Sequence, residues 1–157
     1  MKKLLIIGGI VVVFFVAIIA LTNASNKSKL KDNPYGTDDL AKSTVDLIGN
    51  ENYDSIVLPD AVFKKIESGE PTTVYYFHPE CHYCMQMTPI LMPIAKEEGV
   101  KVNQFNMLEF GDQAKEKYGI DAWPALVQYE NGQEVGRLVG LQPEENIHEF
   151  FNTYYGK

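Results

Sequence analysis

Val74-Tyr75-Tyr76-Phe77-His78-Pro79-Glu80-Cys81-His82-Tyr83-Cys84-Met85-Gln86-Met87 is the stretch that decides the fold. An apolar, β-prone run from Val74 to Phe77 stops at Pro79, and the only two cysteines of the chain follow where the pattern becomes helical. A cysteine in the first turn of a helix faces unsatisfied backbone N–H groups and the positive end of the helix dipole. Both favour thiolate over thiol, and the thiolate is the nucleophile. Cys81 is therefore expected to attack, and Cys84, one turn further on, to resolve by closing a small disulfide ring.

Other uses of a C-x-x-C fit less well. Structural zinc wants four ligands, and a second cysteine pair does not exist here; the nearest completion would take His78 or His82 with the two sulfurs. That metal-binding or metal-delivery reading is the alternative to redox chemistry. Covalent haem attachment needs a histidine directly after the second cysteine, and Met85 stands there. The expectation is a dithiol site with no cofactor and no metal.

Outward from the motif, residues 1–24 read as an N-terminal transmembrane signal-anchor. Lys2 and Lys3 precede Leu4 to Leu21, eighteen residues without a charge. At about 1.5 Å rise per residue such a helix is about 27 Å long, close to the hydrocarbon thickness of a bilayer. The exit Thr22-Asn23-Ala24 is a poor cleavage signal, which favours an uncleaved anchor, and no cysteine stands near it to carry a lipid. Lysines on both sides (Lys2 and Lys3, then Lys27, Lys29 and Lys31) leave the positive-inside count undecided. A long hydrophilic domain behind a signal-like segment, free of spare cysteines, is expected on the extracytoplasmic side of the cell membrane.

Residues 25–51 read as a polar tether, broken by Pro34 and Gly36, with a short amphipathic helix over residues 38–48. The domain proper is expected over 52–157. Ser55 to Leu58 is a short strand, and Pro59-Asp60 opens a helix with Val62, Phe63 and Ile66 on one face. Thr72 to Phe77 is a strand buried on both sides. The helix from His82 to about Glu98 contains Pro89 and Pro93. Val100 to Asn106 is a strand, Asp112 to Tyr118 a helix ended by Gly119, and Ala125 to Tyr129 a strand. Glu130-Asn131-Gly132-Gln133 is a hairpin turn leading into Glu134 to Val139, and a last helix begins at Pro143 with Ile147, Phe150, Phe151 and Tyr154 on its apolar stripe.

The order β-α-β-α-β-α-β-β-α, with the dithiol after the second strand, resembles the thioredoxin superfamily from about Asn52 to Tyr155. Beyond the cysteines, the matches are Pro89-Ile90-Leu91, Lys117-Tyr118-Gly119-Ile120 before Trp123-Pro124-Ala125-Leu126, the Asn131-Gly132 hairpin and Val139-Gly140. The resemblance implies an α/β thioredoxin fold, a central mixed sheet flanked by helices, and a protein-disulfide oxidoreductase. Within the superfamily the chain is most similar to membrane-anchored bacteriocin transport accessory-type proteins of Gram-positive bacteria.

The resemblance also assigns roles. Pro124 is implied to be cis and to present the backbone of Trp123 to an extended substrate beside Cys81, so Trp123 and Pro124 are the substrate-binding candidates. Three departures stand out. Tyr75 occupies the strand position where many thioredoxins carry a buried aspartate, and a tyrosine is a poor base near neutral pH. Glu80 replaces the aromatic residue before the first cysteine, and its charge opposes a neighbouring thiolate. His82 and Tyr83 stand between the cysteines, where the family tunes its potential; a protonated His82 would favour the thiolate and a more oxidising disulfide.

Charge bounds the partners. Setting aside Lys2 and Lys3 leaves 12 basic against 21 acidic residues, a net charge of −9 where the whole chain has −7. An acidic domain is a poor candidate for nucleic acid or an anionic bilayer surface. The implied partners are cysteine-containing exported proteins and a membrane redox protein, met by a monomer. His148 is expected to be an ordinary surface or core residue.

Overall fold

The computed structural model describes residues 2–31 and 33–156, and the side chains at 2–6, 23 and 25–27 lie outside that description. Two compact units result, Met1–Asp38 and Asp39–Lys157. In the first, helix α1 spans Lys2–Lys31, 30 residues. It runs on through Ser25–Lys31, which composition assigned to the tether, because no proline or glycine falls between Ser25 and Lys31. The expected membrane span Leu4–Leu21 begins on side chains outside the described set, and among the described residues no helix is long and apolar enough to cross a membrane. Ile10, Val11, Val12 and Val13, which between them face all round α1, are exposed.

The second unit is built on four strands. They are β1 (Thr72–Phe77), β2 (Val102–Asn106), β3 (Ala125–Glu130) and β4 (Gln133–Val139), in the order β2-β1-β3-β4. β1 pairs parallel with β2 and antiparallel with β3, and β3 pairs antiparallel with β4. The mixed sheet is flanked by helices α2 (Lys42–Leu47), α3 (Pro59–Glu67), α4 (His82–Glu97), α5 (Met107–Tyr118) and α6 (Glu144–Tyr155), with a 3-10 turn at Glu51–Tyr53.

Side-chain alternation along β1 divides the core. Tyr75 and Phe77 face a cluster with Leu91 and Ile94 of α4, Leu126 of β3 and Phe151 of α6. Val74 and Tyr76 face the other side, with Val62 and Ile66 of α3, Phe105 of β2 and Ala114 of α5. Val74 to Phe77 are all fully buried, which is worth roughly 1.5–3 kcal/mol for each large apolar side chain. The Asn131-Gly132 turn has φ +52° and +80°, the paired left-handed conformation that matches strand twist in a two-residue hairpin.

Several element boundaries differ from the reading of sequence: the helix expected over 38–48 is confined to Lys42–Leu47, the strand expected from Val100 begins at Val102, and two further differences have a clear cause. Ser55–Leu58 is not a strand but one parallel bridge, Ile56 to Gln104, held by Gln104 N–H to the Ser55 carbonyl (2.8 Å) and Val57 N–H to the Gln104 carbonyl (3.0 Å). Pro59, with no N–H to give, ends the pairing and opens α3. Helix α5 begins at Met107, not Asp112, because the Asn106 side chain accepts from Leu108 N–H and caps it directly off β2.

Buried phenols set the alkaline limit of this fold. Burial raises Tyr75, Tyr76 and Tyr129 above the ordinary tyrosine value of 10.0, Tyr129 to about 12, and the Tyr76 and Tyr129 hydroxyls meet at 3.0 Å. A group that ionises later when folded holds its proton more tightly in the native state, so its contribution is complete below pH 10 and is lost as pH rises above it. The urea midpoint is expected to be flat to about pH 9 and then to fall, by on the order of 1.4 kcal/mol per pH unit for each tyrosine. A midpoint unchanged at about pH 11 contradicts the burial of these three hydroxyls.

Candidate active site

The two cysteines lie at the junction of β1 and α4. Cys81 is the N-cap of α4, with extended backbone, and its sulfur accepts the Cys84 N–H at 3.2 Å. The thiol side of Cys81 reaches the Trp123 carbonyl at 3.8 Å. Both cysteines are free thiols; Cys81 is half-buried and Cys84 fully buried. A sulfur in the place of a capping oxygen, receiving an orphan N–H at a helix N-terminus, is positioned to be stabilised as an anion. Burial pushes the Cys84 thiol up, and a hydrogen bond to Cys81 adds to the effect. One outer sulfur for attack and one inner sulfur held protonated is the arrangement that thiol exchange requires.

Across from Cys81, the Trp123–Pro124 peptide is cis, and the loop is tied down by Gly140 N–H donating to the Pro124 carbonyl at 2.8 Å. Trp123 is 38% exposed and its ring stacks on His78, with centroids 5.5 Å apart and planes 15° from parallel. Glu80 N–H donates to His78 Nδ1 at 3.1 Å, so a proton on the neutral ring sits on Nε2. An aromatic plate thus stands beside the reactive sulfur. Sequence alone assigned His78 to the metal alternative and did not place it against Trp123.

His82 and Tyr83 are on the exposed first turn of α4. The His82 ring meets the Gln86 side chain through Nε2 at 2.6 Å and packs edge-on to Tyr83. His78 and His82 are thus engaged separately, and among the described residues no group of three or more His, Cys, Asp or Glu side chains converges to hold a metal ion. His148 pairs with Glu98, linking α6 to the end of α4.

Under Cys84 is a set of hydroxyls that the sequence did not reveal. Thr88 donates to the Cys84 carbonyl at 2.8 Å, and the Tyr75 hydroxyl lies 3.1 Å from Thr88 Oγ1. Tyr53, from the 3-10 turn, packs in the same core cluster as Cys84, and its hydroxyl donates to Met85 Sδ at 3.4 Å. Thr88 is one turn after Cys84, a spacing visible in the sequence, but Tyr53 is brought there only by packing.

These features coincide with a known family. A thioredoxin model matches residues 49–153. The chain belongs to the thioredoxin family. Thioredoxin of Chlamydia pneumoniae is 31% identical over 111 residues, covering 70% of this chain and 98% of that protein. Thioredoxin of Rickettsia conorii is 30% identical over 96 residues, 59% of this chain and 91% of the relative. The oxidised thioredoxin of Plasmodium falciparum superposes with a TM-score of 0.55 at 22% identity, covering 64% of this chain and 96% of that one, a likeness of fold. Family membership, with Cys81 and Cys84 at the C-x-x-C spacing, marks a thiol-disulfide oxidoreductase.

One further element touches the thioredoxin site. Helix α2 sets Ser43 Oγ 2.9 Å from Glu80 Oε1, directly before Cys81. Its start is held by Glu109 of α5, whose Oε1 accepts from Ala41 N–H (3.1 Å) and Thr44 Oγ1 (2.5 Å). The carboxylate anchors this first turn through the Ala41 backbone and the Thr44 hydroxyl, where Ala41 has no side-chain oxygen to cap it. Glu109→Ala is expected to lower stability by about 1.5–3 kcal/mol and to expose Lys42 to trypsin, with Glu109→Gln between the two. An unchanged urea midpoint and digestion pattern would show that α2 is held by other contacts.

Proposed function

We propose that this protein is a membrane-anchored, extracytoplasmic thioredoxin-like enzyme that exchanges disulfides with exported proteins through Cys81 and Cys84. The single observation that carries the chemistry is the Cys81 sulfur at the N-cap of α4, accepting the Cys84 N–H beside the cis-Pro124 loop, with the Cys84 thiol buried behind it. In the reducing direction the Cys81 thiolate attacks a client disulfide, and one client sulfur departs as thiolate. The Cys84 thiolate then attacks Cys81 Sγ, closing the enzyme disulfide and releasing the second client sulfur. In the oxidising direction a client thiolate attacks Cys81 Sγ and Cys84 departs; the client's second thiolate then displaces Cys81, leaving the enzyme a dithiol.

Roles around the pair follow from reach. The Trp123 backbone and the Trp123–His78 plate flank the sulfur that a client must approach, and an extended client can hydrogen-bond along the loop at Pro124. His82 and Tyr83 on the first turn, and Glu80 before it, are the charge and dipole settings nearest the nucleophile. The proposed clients carry cysteines and are exported, and a membrane redox protein restores the enzyme; the enzyme works as a monomer and without nucleic acid.

Support for the membrane is of two kinds. Leu4 to Leu21 carries no charge, and the described apolar side chains of α1 are exposed all round, a pattern a helix in water does not sustain without a cover. Residues 1–24 are the proposed anchor, residues 25–51 join it to the domain, and 52–157 are the redox domain. The acidic, cysteine-poor character of the domain suits an oxidising exterior. The closer kinship to bacteriocin transport accessory-type proteins of Gram-positive bacteria belongs to the same proposal.

Two experiments bear on it. In the producing cells Cys84→Ser is expected to accumulate mixed disulfides with clients and Cys81→Ser to accumulate none, seen on non-reducing gels; equal behaviour overturns the assignment of attacker and resolver. The full-length protein is expected to remain with carbonate-washed membranes, and a membrane-impermeant maleimide is expected to label Cys81 in intact cells. Labelling only after lysis would place the domain inside.

A further inference from the structure

The hydroxyl cluster under Cys84 has a defined direction. Thr88 has one proton, which goes to the Cys84 carbonyl at 2.8 Å, so the Tyr75 hydroxyl at 3.1 Å must donate to Thr88. Tyr75 also points at the Cys84 carbonyl at 3.5 Å, and Tyr53 donates toward Met85 Sδ at 3.4 Å. Every donor in the set therefore ends on an amide carbonyl or a thioether. Neither takes up a proton near neutral pH.

Among the described residues, no carboxylate or imidazole is hydrogen-bonded to Cys84 or to the hydroxyls beneath it. β1 contributes Tyr75 and the 3-10 turn Tyr53; α4 and the loop before it contribute Cys81, Thr88 and the His78 backbone; β3 and α6 contribute Leu126, Ile147, Phe150 and Phe151. Glu80 is bonded to Ser43, His82 to Gln86, and the His78 ring is stacked on Trp123 with its Nδ1 taken by Glu80 N–H. Burial raises both tyrosines, Tyr75 far above the ordinary range, so they remain neutral phenols. Yet Cys84 must lose its proton before it can resolve a mixed disulfide.

We propose that Tyr75 and Thr88 are positioning residues that hold Cys84 in place as a thiol without an internal base, so that solution base removes its proton in the resolving step. This rests on the exchange chemistry proposed above. Hydroxide takes the Cys84 proton and becomes water, the Cys84 thiolate attacks Cys81 Sγ, the Cys84–Cys81 bond forms and the Cys81–client bond breaks. The client sulfur leaves with the electron pair and is protonated by water. The enzyme dithiol is oxidised and the client disulfide reduced, with no other reagent. The mixed disulfide through Cys81 is consequently long-lived at neutral pH and short-lived in alkali.

The test uses the reduced full-length chain in mild detergent with oxidised glutathione, quenched in acid and followed by mass. The Cys81–glutathione adduct is expected to form and then decay with a first-order rate that rises about tenfold per pH unit from pH 6 to 9. Tyr75→Phe is expected to keep the tenfold-per-unit slope while lowering the rate about threefold, the effect of a less firmly held thiol, and Tyr75→Asp to raise the rate at pH 7 at least about tenfold and flatten the profile. A flat wild-type profile, or one that levels off between pH 6 and 8, overturns the proposal by showing an internal base or direct transfer to the departing sulfur. A loss of about tenfold or more in Tyr75→Phe overturns it by making that hydroxyl a proton carrier. Failure to form any adduct removes the exchange reading itself, and this inference with it.

Discussion

Burial of β1 on both faces is the constraint on which the rest depends. With Val74, Tyr75, Tyr76 and Phe77 all excluded from water, the strand must lie inside the sheet with helices above and below, and it takes β2 on one edge and β3 on the other. A strand so placed cannot move along its axis without turning its alternating side chains into the wrong cluster. The turn at its end is therefore fixed in space, and with it the first turn of α4. The reactive sulfur sits at a helix N-terminus because the core leaves β1 no other register.

The same constraint explains the divided character of the dithiol. Cys81 lies at the rim, where the first backbone N–H groups of α4 have no carbonyl partner within the helix, and Cys84 lies one turn inward, where α4 meets the hydrophobic face of the sheet. Environment separates two chemically identical groups: burial opposes charge on Cys84, while the Cys81 sulfur stands at a helix N-terminus and receives an N–H. The hydroxyls of Tyr53, Tyr75 and Thr88 fill the polar demand at that depth without adding a charge. Satisfied neutral polar groups are tolerated in a core where an unpaired carboxylate would be costly.

How far the site was legible depended on sequence distance. The C-x-x-C, the strand before it and the helix after it are contiguous, and local pattern carries them. Trp123-Pro124 was reached through family resemblance, since its approach to Cys81 crosses 42 positions of chain. The His78–Trp123 stack, the Ser43–Glu80 contact and the arrival of Tyr53 at Met85 leave no periodic trace, because each joins residues whose spacing is set by packing alone. Two of the boundaries that differed, at Ser55–Leu58 and Met107, were decided by single capping or pairing bonds from Asn106 and Gln104, which hydrophobic pattern does not register.

The sequence by itself determined the fold class, the strand-turn-helix that carries the dithiol, the hairpin at Asn131-Gly132 and the acidic balance of the domain, since all of these follow from local periodicity, turn chemistry and composition. Tertiary structure alone decided which sulfur faces solvent, that α2 caps onto Glu109 and reaches Glu80, and that the polar groups beneath Cys84 are hydroxyls whose protons lead away to a carbonyl and a thioether. The physical reason is that solvent exposure and hydrogen-bond direction are properties of a packed environment. They exist only once distant segments have excluded water from the same place.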